Sequence, residues 1–167
     1  VEQDATCTAN LAHWVAGTDV GEFRPRFSRR RPDSFCTLVQ RVMHETNVVE
    51  AVALQMTTEY AKFLELKMAT EDFEAYPSVY LSPPEVIDRV WHLHILDTRF
   101  YQPEMEELLG HELEHDPDGA RDGKKKERAF NTVVAYRSRF GGNPPDAVAK
   151  LWQFSPDVGD VWAQPTP

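Results

Sequence analysis

The stretch from Ser82 to Tyr101 constrains the fold of this chain more than any other segment. Its sequence strongly predicts a helix, and polar residues lie within the apolar face of that helix. Its first residues combine an N-cap serine, prolines suited to a first helical turn, and a glutamate three residues after the serine, which together form a capping box. We predict a core-facing helix from Ser82 to about Tyr101, interrupted by Pro103. At about 100° per residue, its apolar arc is formed by Val86, Ile87, Val90, Leu93 and Tyr101.

Helical periodicity recurs in the rest of the chain, and the sequence shows no convincing strand, repeat or coiled-coil pattern. One helix is predicted to start at Asp33 or Ser34, and a longer one to start at Asn47 and end near Met68. The segment 111–123 is too rich in Asp, Gly and Pro to be regular. Further helices are predicted over 104–109, over 124–140 and around Leu151 and Trp152. The sequence thus predicts an all-α fold, a compact single-domain bundle of about five to six helices with an irregular N-terminal arm.

Three regions are predicted along the 167 residues: an arm with an Arg/Pro-rich connector over 1–33, a helical domain over 34–154, and a C-terminal tail over 155–167. The net charge of −9 argues against nucleic acid as a partner, since phosphate binding relies on Lys and Arg. No apolar run approaches the roughly 20 residues needed to span a bilayer. Cys7 and Cys36 are too few for a disulfide framework, so we expect a cytoplasmic protein, and a single bridge between them is left open.

Four polar residues of the predicted helix lie within its apolar arc at spacings of three or four, which lets them touch: His94, Asp97, Thr98 and Tyr101. An imidazole and a carboxylate among apolar neighbours are costly unless they satisfy one another. One interpretation is catalytic, with an imidazole as general acid or base and a carboxylate that orients it. The other is structural, with the four side chains forming a polar knot that fixes how the helices dock.

A second polar cluster lies on the adjacent flank of this helix, where Asp88 and His92 are one turn apart. Side chains two positions apart on a helix point about 200° away from each other, so His92 and His94 cannot both bind one ion from a regular helix. His115 could approach from the turn that follows. The alternative to acid–base catalysis is a divalent metal (Zn, Fe, Cu or Mn) held by two or three of Asp88, His92, His94 and His115.

The segment HELEH, residues 111–115, matches the His-Glu-x-x-His pattern of zinc proteases, but its context argues against that function. Such a site needs His111 and His115 one turn apart on a stable helix, with a third ligand further on. Pro117 would stop that helix, and Arg121 stands where the extended motif has its third histidine. We interpret the match as a coincidence of composition.

The stretch PPEVIDRVWHLHILDTRFY, which ends at Tyr101, resembles the signature of the glycine-rich domain-containing-protein-like family, whose function is largely unassigned. The likeness covers roughly 34–154 and includes EYAKFLEL from Glu59, the turn at His115, and YRSRFGGNPP followed by Trp152. The chain departs from the family in lacking its glycine-rich region. The resemblance implies an all-helical fold and no established reaction. The signature positions present in this chain are Pro84, Asp88, Trp91, His92, His94, Thr98 and Tyr101.

These features are compatible with two functions. The first is a small helical domain whose His/Asp site binds a divalent metal or performs acid–base catalysis on a small molecule. The second is a non-catalytic protein-interaction module, in which the same residues are the structural polar knot. The expected partner is accordingly a small molecule or a protein, and the sequence leaves both enzymatic activity and oligomeric state open.

Overall fold

The computed structural model describes residues 26–74 and 79–167, and within these ranges the fold is all-α, which confirms the predicted class. Residues 1–25 of the predicted arm, which include Cys7, lie outside the described residues. The described α-helices are α1 Arg26–Arg30, α2 Pro32–Thr46, α3 Glu50–Ala69, α4 Glu85–Ile95, α5 Tyr101–Leu109 and α6 Lys125–Phe140. Short 3-10 helices are formed by Gly119–Asp122, Ala149–Trp152 and Val161–Ala163.

Helix α3 forms the centre of the bundle, because α1, α2, α4 and α6 all pack against it. Almost every residue from Met56 to Lys67 is buried, charged side chains included. A helix that is buried all round must find partners for its polar groups within the protein. The carboxylate of Glu59, for example, accepts a hydrogen bond from the Trp152 indole at 2.7 Å, which ties α3 to the Ala149–Trp152 turn.

The segment predicted as one helix from Ser82 to Tyr101 is two helices, which corrects the sequence-based boundary. Helix α4 ends at Ile95, and α5 begins at Tyr101. Pro103 lacks a backbone N–H and is tolerated in the first turn of a helix, so the chain starts a new helix just before this residue. Residues 96–100 therefore form a bend that separates His94 and Tyr101 onto different helices.

The predicted helix starts are also shifted. Ser82 is not the N-cap of α4, which begins after Pro84; its backbone instead forms two hydrogen bonds with Thr132 Oγ1 of α6, at 3.1 and 2.8 Å. Helix α2 begins at Pro32, one residue before the predicted caps. Asn47 ends α2 instead of opening α3, and its φ of 53° is the left-handed conformation that asparagine tolerates better than most residues.

The irregular segment expected after α5 is present. Gly110 closes α5 with a φ of 79°, a conformation open to glycine because it lacks a Cβ. Residues 111–118 then have no regular structure before the Gly119–Asp122 turn. No helix among the described residues is long and apolar enough to cross a membrane.

The two ends of the described chain both contribute buried side chains. Phe27 of α1, within the predicted arm, is 2% exposed and joins the main core. Val158 and Val161, in the predicted tail, pack on Ala129 and Val133 of α6 as a small second core. These contacts extend the packed body beyond 34–154 on both sides.

Candidate functional site

Three of the predicted metal-binding residues come together at one place, and we call Asp88, His92 and His115 the ligand triad. Asp88 and His92 lie one turn apart on α4, and His115 lies in the irregular segment after α5. His115 Nε2 is 2.9 Å from Asp88 Oδ1, and His92 Nδ1 is 3.7 Å from Asp88 Oδ2. One ligand atom from each residue lies within 4.8 Å of the other two. His92 is exposed, while Asp88 and His115 are partly buried.

The position of His115 depends on a relay of hydrogen bonds that fixes the irregular segment against α4. The Trp91 indole donates to the Tyr101 hydroxyl at 2.6 Å, and that hydroxyl donates to the Leu113 carbonyl at 3.2 Å. The Trp91 ring also packs edge-on against the His115 ring, with centroids 4.4 Å apart. Tyr101, predicted as catalytic, is thus a buried link, and burial raises the pKa of its hydroxyl.

His94 belongs to a separate buried network, which we call the His94 network: Tyr60, His94, Glu104 and Ser34. His94 is 3% exposed; its Nδ1 lies 2.9 Å from the Tyr60 hydroxyl and its Nε2 lies 3.2 Å from Glu104 Oε2. Burial, reinforced by Tyr101 and Glu104, raises the pKa of Tyr60, which keeps its hydroxyl protonated. Tyr60 therefore donates to Nδ1, and the Nε2–H donates to Glu104. Ser34 donates to the other oxygen of that carboxylate.

The expected side-chain cluster of His94 with Asp97 and Thr98 is not formed, because α4 ends at Ile95, and Asp97 meets His94 only through a backbone hydrogen bond of 3.0 Å. Asp97 lies in the bend after α4, where its carboxylate pairs with Arg41 of α2 at 3.0 Å. Thr98 is exposed to solvent. Of the four residues predicted as an acid–base site, His94 and Tyr101 make a side-chain contact, through rings 5.1 Å apart at an interplanar angle of 87°. His94 is also apart from the ligand triad, as the 200° separation from His92 requires.

The HELEH segment does not form a helix, so His111 and His115 are not presented on one helical face. The His111 ring stacks on Phe73, with centroids 4.6 Å apart and an interplanar angle of 15°. Glu112 is exposed, and Leu113 between the histidines is buried. Only His115 of this segment joins the ligand triad.

A cleft of about 260 Å³ opens beside the ligand triad, and Asp88 and His115 form part of its wall. The other walls come from residues 79–85, from the start of α6 and from Phe154 and Ser155. Lys67 lies at its base, 2% exposed, where burial lowers the pKa of its ammonium and the Asp72 carboxylate at 2.7 Å offsets part of that effect. The charged side chains that line the cleft are Lys67, Lys125, Arg128, Glu85, Asp88, Glu114 and Asp116.

The partners of His94 and the basic side chains of the cleft were not predicted from the sequence. Tyr60 lies on the buried stripe of α3, and Glu104 follows Pro103 on α5. The available signal was the placement of each polar group on an apolar helix face. Pairing between different helices cannot be deduced from the periodicity of either one alone.

Comparisons with known proteins found no relative: no protein-family model, no curated protein and no solved structure matches the chain. The resemblance to the glycine-rich domain-containing-protein-like family therefore stays a prediction, and functional conclusions rest on the ligand triad, the His94 network and the cleft.

Proposed function

We propose that this domain binds one divalent metal ion through Asp88, His92 and His115. The observation that supports this function is the approach of three ligand atoms, two imidazole nitrogens and one carboxylate oxygen, to within 4.8 Å of one another. Metal–ligand bonds to His nitrogen and Asp oxygen are about 2.0–2.2 Å, which places two ligands of one ion at most about 4.4 Å apart. The ligand atoms therefore need to move slightly closer together, and a small rotation of the exposed His92 side chain is enough for this.

The donor set suits a borderline divalent ion. Imidazole binds Zn, Cu, Fe and Ni well, and carboxylate adds affinity for harder ions such as Mn, so two histidines and one aspartate fit the expected group of Zn, Fe, Cu or Mn. The carboxylate also neutralises one of the two positive charges of the ion. The Asp88–His115 contact of 2.9 Å already holds these two ligands together.

Three protein ligands leave coordination positions open, which is the arrangement of catalytic metal sites, whereas structural zinc sites are closed by four protein ligands. Asp88 and His115 line the cleft, so an ion held by them would lie next to a space that a small molecule can enter. When bound there, such an ion supplies Lewis-acid character and a water of lowered pKa. The protein contributes the three ligands and the Trp91 ring that packs against His115.

The His94 network supports the structural interpretation for that part of the predicted site. Both ring nitrogens of His94 have partners within the protein, and the ring also stacks on Phe27 at 4.9 Å. We propose that the role of this network is to hold α1, α3 and α5 against α4. All three members of the ligand triad are positions that carry the resemblance to the glycine-rich domain-containing-protein-like family, and we propose membership of the chain in that family.

The test is a metal titration of the full chain after removal of metal by a chelator. Calorimetry with Zn²⁺, Mn²⁺ and Cu²⁺, and with Fe²⁺ under anaerobic conditions, should give one ion per chain for at least one of these metals. His92→Ala and His115→Ala should each weaken binding by about 100-fold or more, since loss of even an outer partner of a metal ligand costs roughly 10–100-fold. His111→Ala is the matched control, because His111 lies on the same segment outside the triad.

Two results would contradict the proposal: binding of none of the four metals, or equal affinity in the triad variants and in His111→Ala. Either would favour the alternative function, a non-catalytic interaction module. Circular dichroism of each variant establishes that a loss of affinity does not come from a loss of fold.

A further inference from the structure

We propose that the ligand of this site is a small oxyanion, a phosphate or carboxylate group that binds the metal with one oxygen and Lys125 with another, and that is also attracted by the charge of Arg128. This inference rests on the proposed metal site and adds the chemical class of its ligand. It follows from the shape of the cleft and from the distribution of charge within it.

The size of the cleft favours a small ligand. Its volume of about 260 Å³ lies just below the roughly 300–1,000 Å³ of pockets that take drug-sized molecules. Triad residues Asp88 and His115 form one part of the wall, and Lys125 and Arg128 of α6 form another. Because both parts line the same small cavity, one compact ligand can reach the metal and the basic side chains together.

Burial separates the positive and negative side chains of the cleft. The side chains of Arg128 and Lys125 are 7% and 33% exposed, whereas Glu85, Glu114 and Asp116 are exposed residues. Exposed charges are screened by water and salt, while charges away from water act more strongly. The exposed carboxylates therefore cancel less of the positive electrostatic potential in the cleft than their number suggests.

The existing ion pairs leave the cleft favourable to an anion once the metal is bound. Lys67 is balanced by the buried Asp72, and Asp88 is balanced by the metal ion. Arg128 pairs at 2.5 Å with Asp122, whose side chain is 48% exposed, and Lys125 pairs at 3.4 Å with Asp157, whose side chain is 68% exposed. The Lys125–Asp157 pair is weak, because it is long and its carboxylate is exposed. Lys125 can therefore turn to a second oxyanion, and the buried charge of Arg128 on the same wall attracts that anion while Arg128 keeps Asp122.

The test uses the full chain loaded with Co²⁺, whose visible absorption changes when an oxyanion coordinates the metal. The probes are methylphosphonate and acetate, which carry the same methyl group on a phosphonate and on a carboxylate. At least one probe should bind saturably, and the stronger one identifies the anion class. Lys125→Gln should weaken that probe by about 5- to 10-fold, the loss of one charge-assisted hydrogen bond at a partly exposed site. Metal affinity should be unchanged.

Lys126→Gln is the matched control, because Lys126 is exposed on the adjacent position of α6 and does not line the cleft. The proposal is overturned if neither probe changes the spectrum of the Co²⁺ protein at millimolar concentration, or if Lys125→Gln and Lys126→Gln bind the probe equally. If the metal site itself does not exist, the metal titration shows no binding and Co²⁺ gives no spectrum of a bound ion. That outcome is therefore distinguishable from the two results above. Thermal unfolding of both variants reports any effect on the fold.

Discussion

Tyr101→Phe removes a single oxygen that touches no member of the ligand triad, yet we expect it to weaken metal binding. The Tyr101 hydroxyl accepts from Trp91 at 2.6 Å and donates to the Leu113 carbonyl at 3.2 Å. Leu113 lies two residues before His115. The substitution therefore removes one of the hydrogen bonds that hold the irregular segment, the other being from the Glu114 N–H to the Phe73 carbonyl, and so loosens the proposed ligand His115.

The magnitude can be worked from burial. Trp91 is 2% exposed and Tyr101 is 4% exposed, so no solvent replaces the lost oxygen. An unsatisfied buried N–H costs about 1–3 kcal/mol, and loss of the longer bond to Leu113 costs about 0.5–1.5 kcal/mol. We expect a total loss of about 2–4 kcal/mol in the free energy of unfolding. For a chain of this size that lowers Tm by on the order of 5–15 °C.

Urea unfolding followed by circular dichroism measures the stability, and calorimetry with the preferred metal measures the affinity. Removal of an outer support of a metal ligand should weaken binding by roughly 10–100-fold. Tyr80→Phe is the control, since the Tyr80 side chain is 47% exposed and lies on a different segment. Wild-type stability in Tyr101→Phe would refute the role of the hydroxyl relay. Wild-type metal affinity in a destabilised variant would refute its link to His115.

Three further outcomes follow from the buried polar groups. His94→Ala should cost about 3 kcal/mol or more, because it leaves Glu104 and Tyr60 without their partner, and should leave metal affinity within twofold of wild type. Lys67→Met should cost about 3–5 kcal/mol in urea unfolding, because the buried Asp72 carboxylate loses its counter-ion. Stability should fall as pH rises above 10, since unfolded tyrosines ionise there while burial raises the pKa of three native ones, Tyr60, Tyr101 and Tyr136.

Each of these outcomes has a result that contradicts it. Loss of metal binding in a folded His94→Ala variant would place His94 in the metal site. Unchanged stability of Lys67→Met would show that the Asp72 carboxylate is adequately held by the backbone N–H groups of Tyr80 and Leu81 alone. Tyrosinate absorbance from all tyrosines before unfolding would show that the three hydroxyls are accessible to hydroxide.

The sequence predicted the fold class and the separation of His92 from His94, because both depend on the angle per residue within one helix. It predicted a break before the next helix but placed it at Pro103, whereas α4 ends at Ile95 and α5 begins at Tyr101. That break accommodates Pro103 and places Asp97 beside Arg41, a residue on another helix. Local patterns cannot specify such a contact, and so the predicted grouping of His94 with Asp97 and Thr98 does not occur in the structure.

The grouping of the ligand triad could be predicted from the sequence only in part. The i,i+4 spacing of Asp88 and His92 placed them together, as α4 does. His115 was expected to approach from the following segment, but that segment is positioned by hydrogen bonds to Tyr101 and Phe73, which lie on different parts of the chain. Sequence could supply the ligand types, whereas the distances between them required the tertiary structure.

The hydrogen bond between Glu59 and Trp152 has a consequence for how the molecule assembles. It joins positions 93 residues apart, one at the middle of the central helix and the other near the end of the chain. The loop-closure cost of such a contact grows only slowly with its length, but contacts of long sequence separation slow folding. During synthesis, the Glu59 carboxylate can gain this donor only after Trp152 has been added, so fragments that stop short of Trp152 should leave a buried oxygen of the central helix without its indole partner.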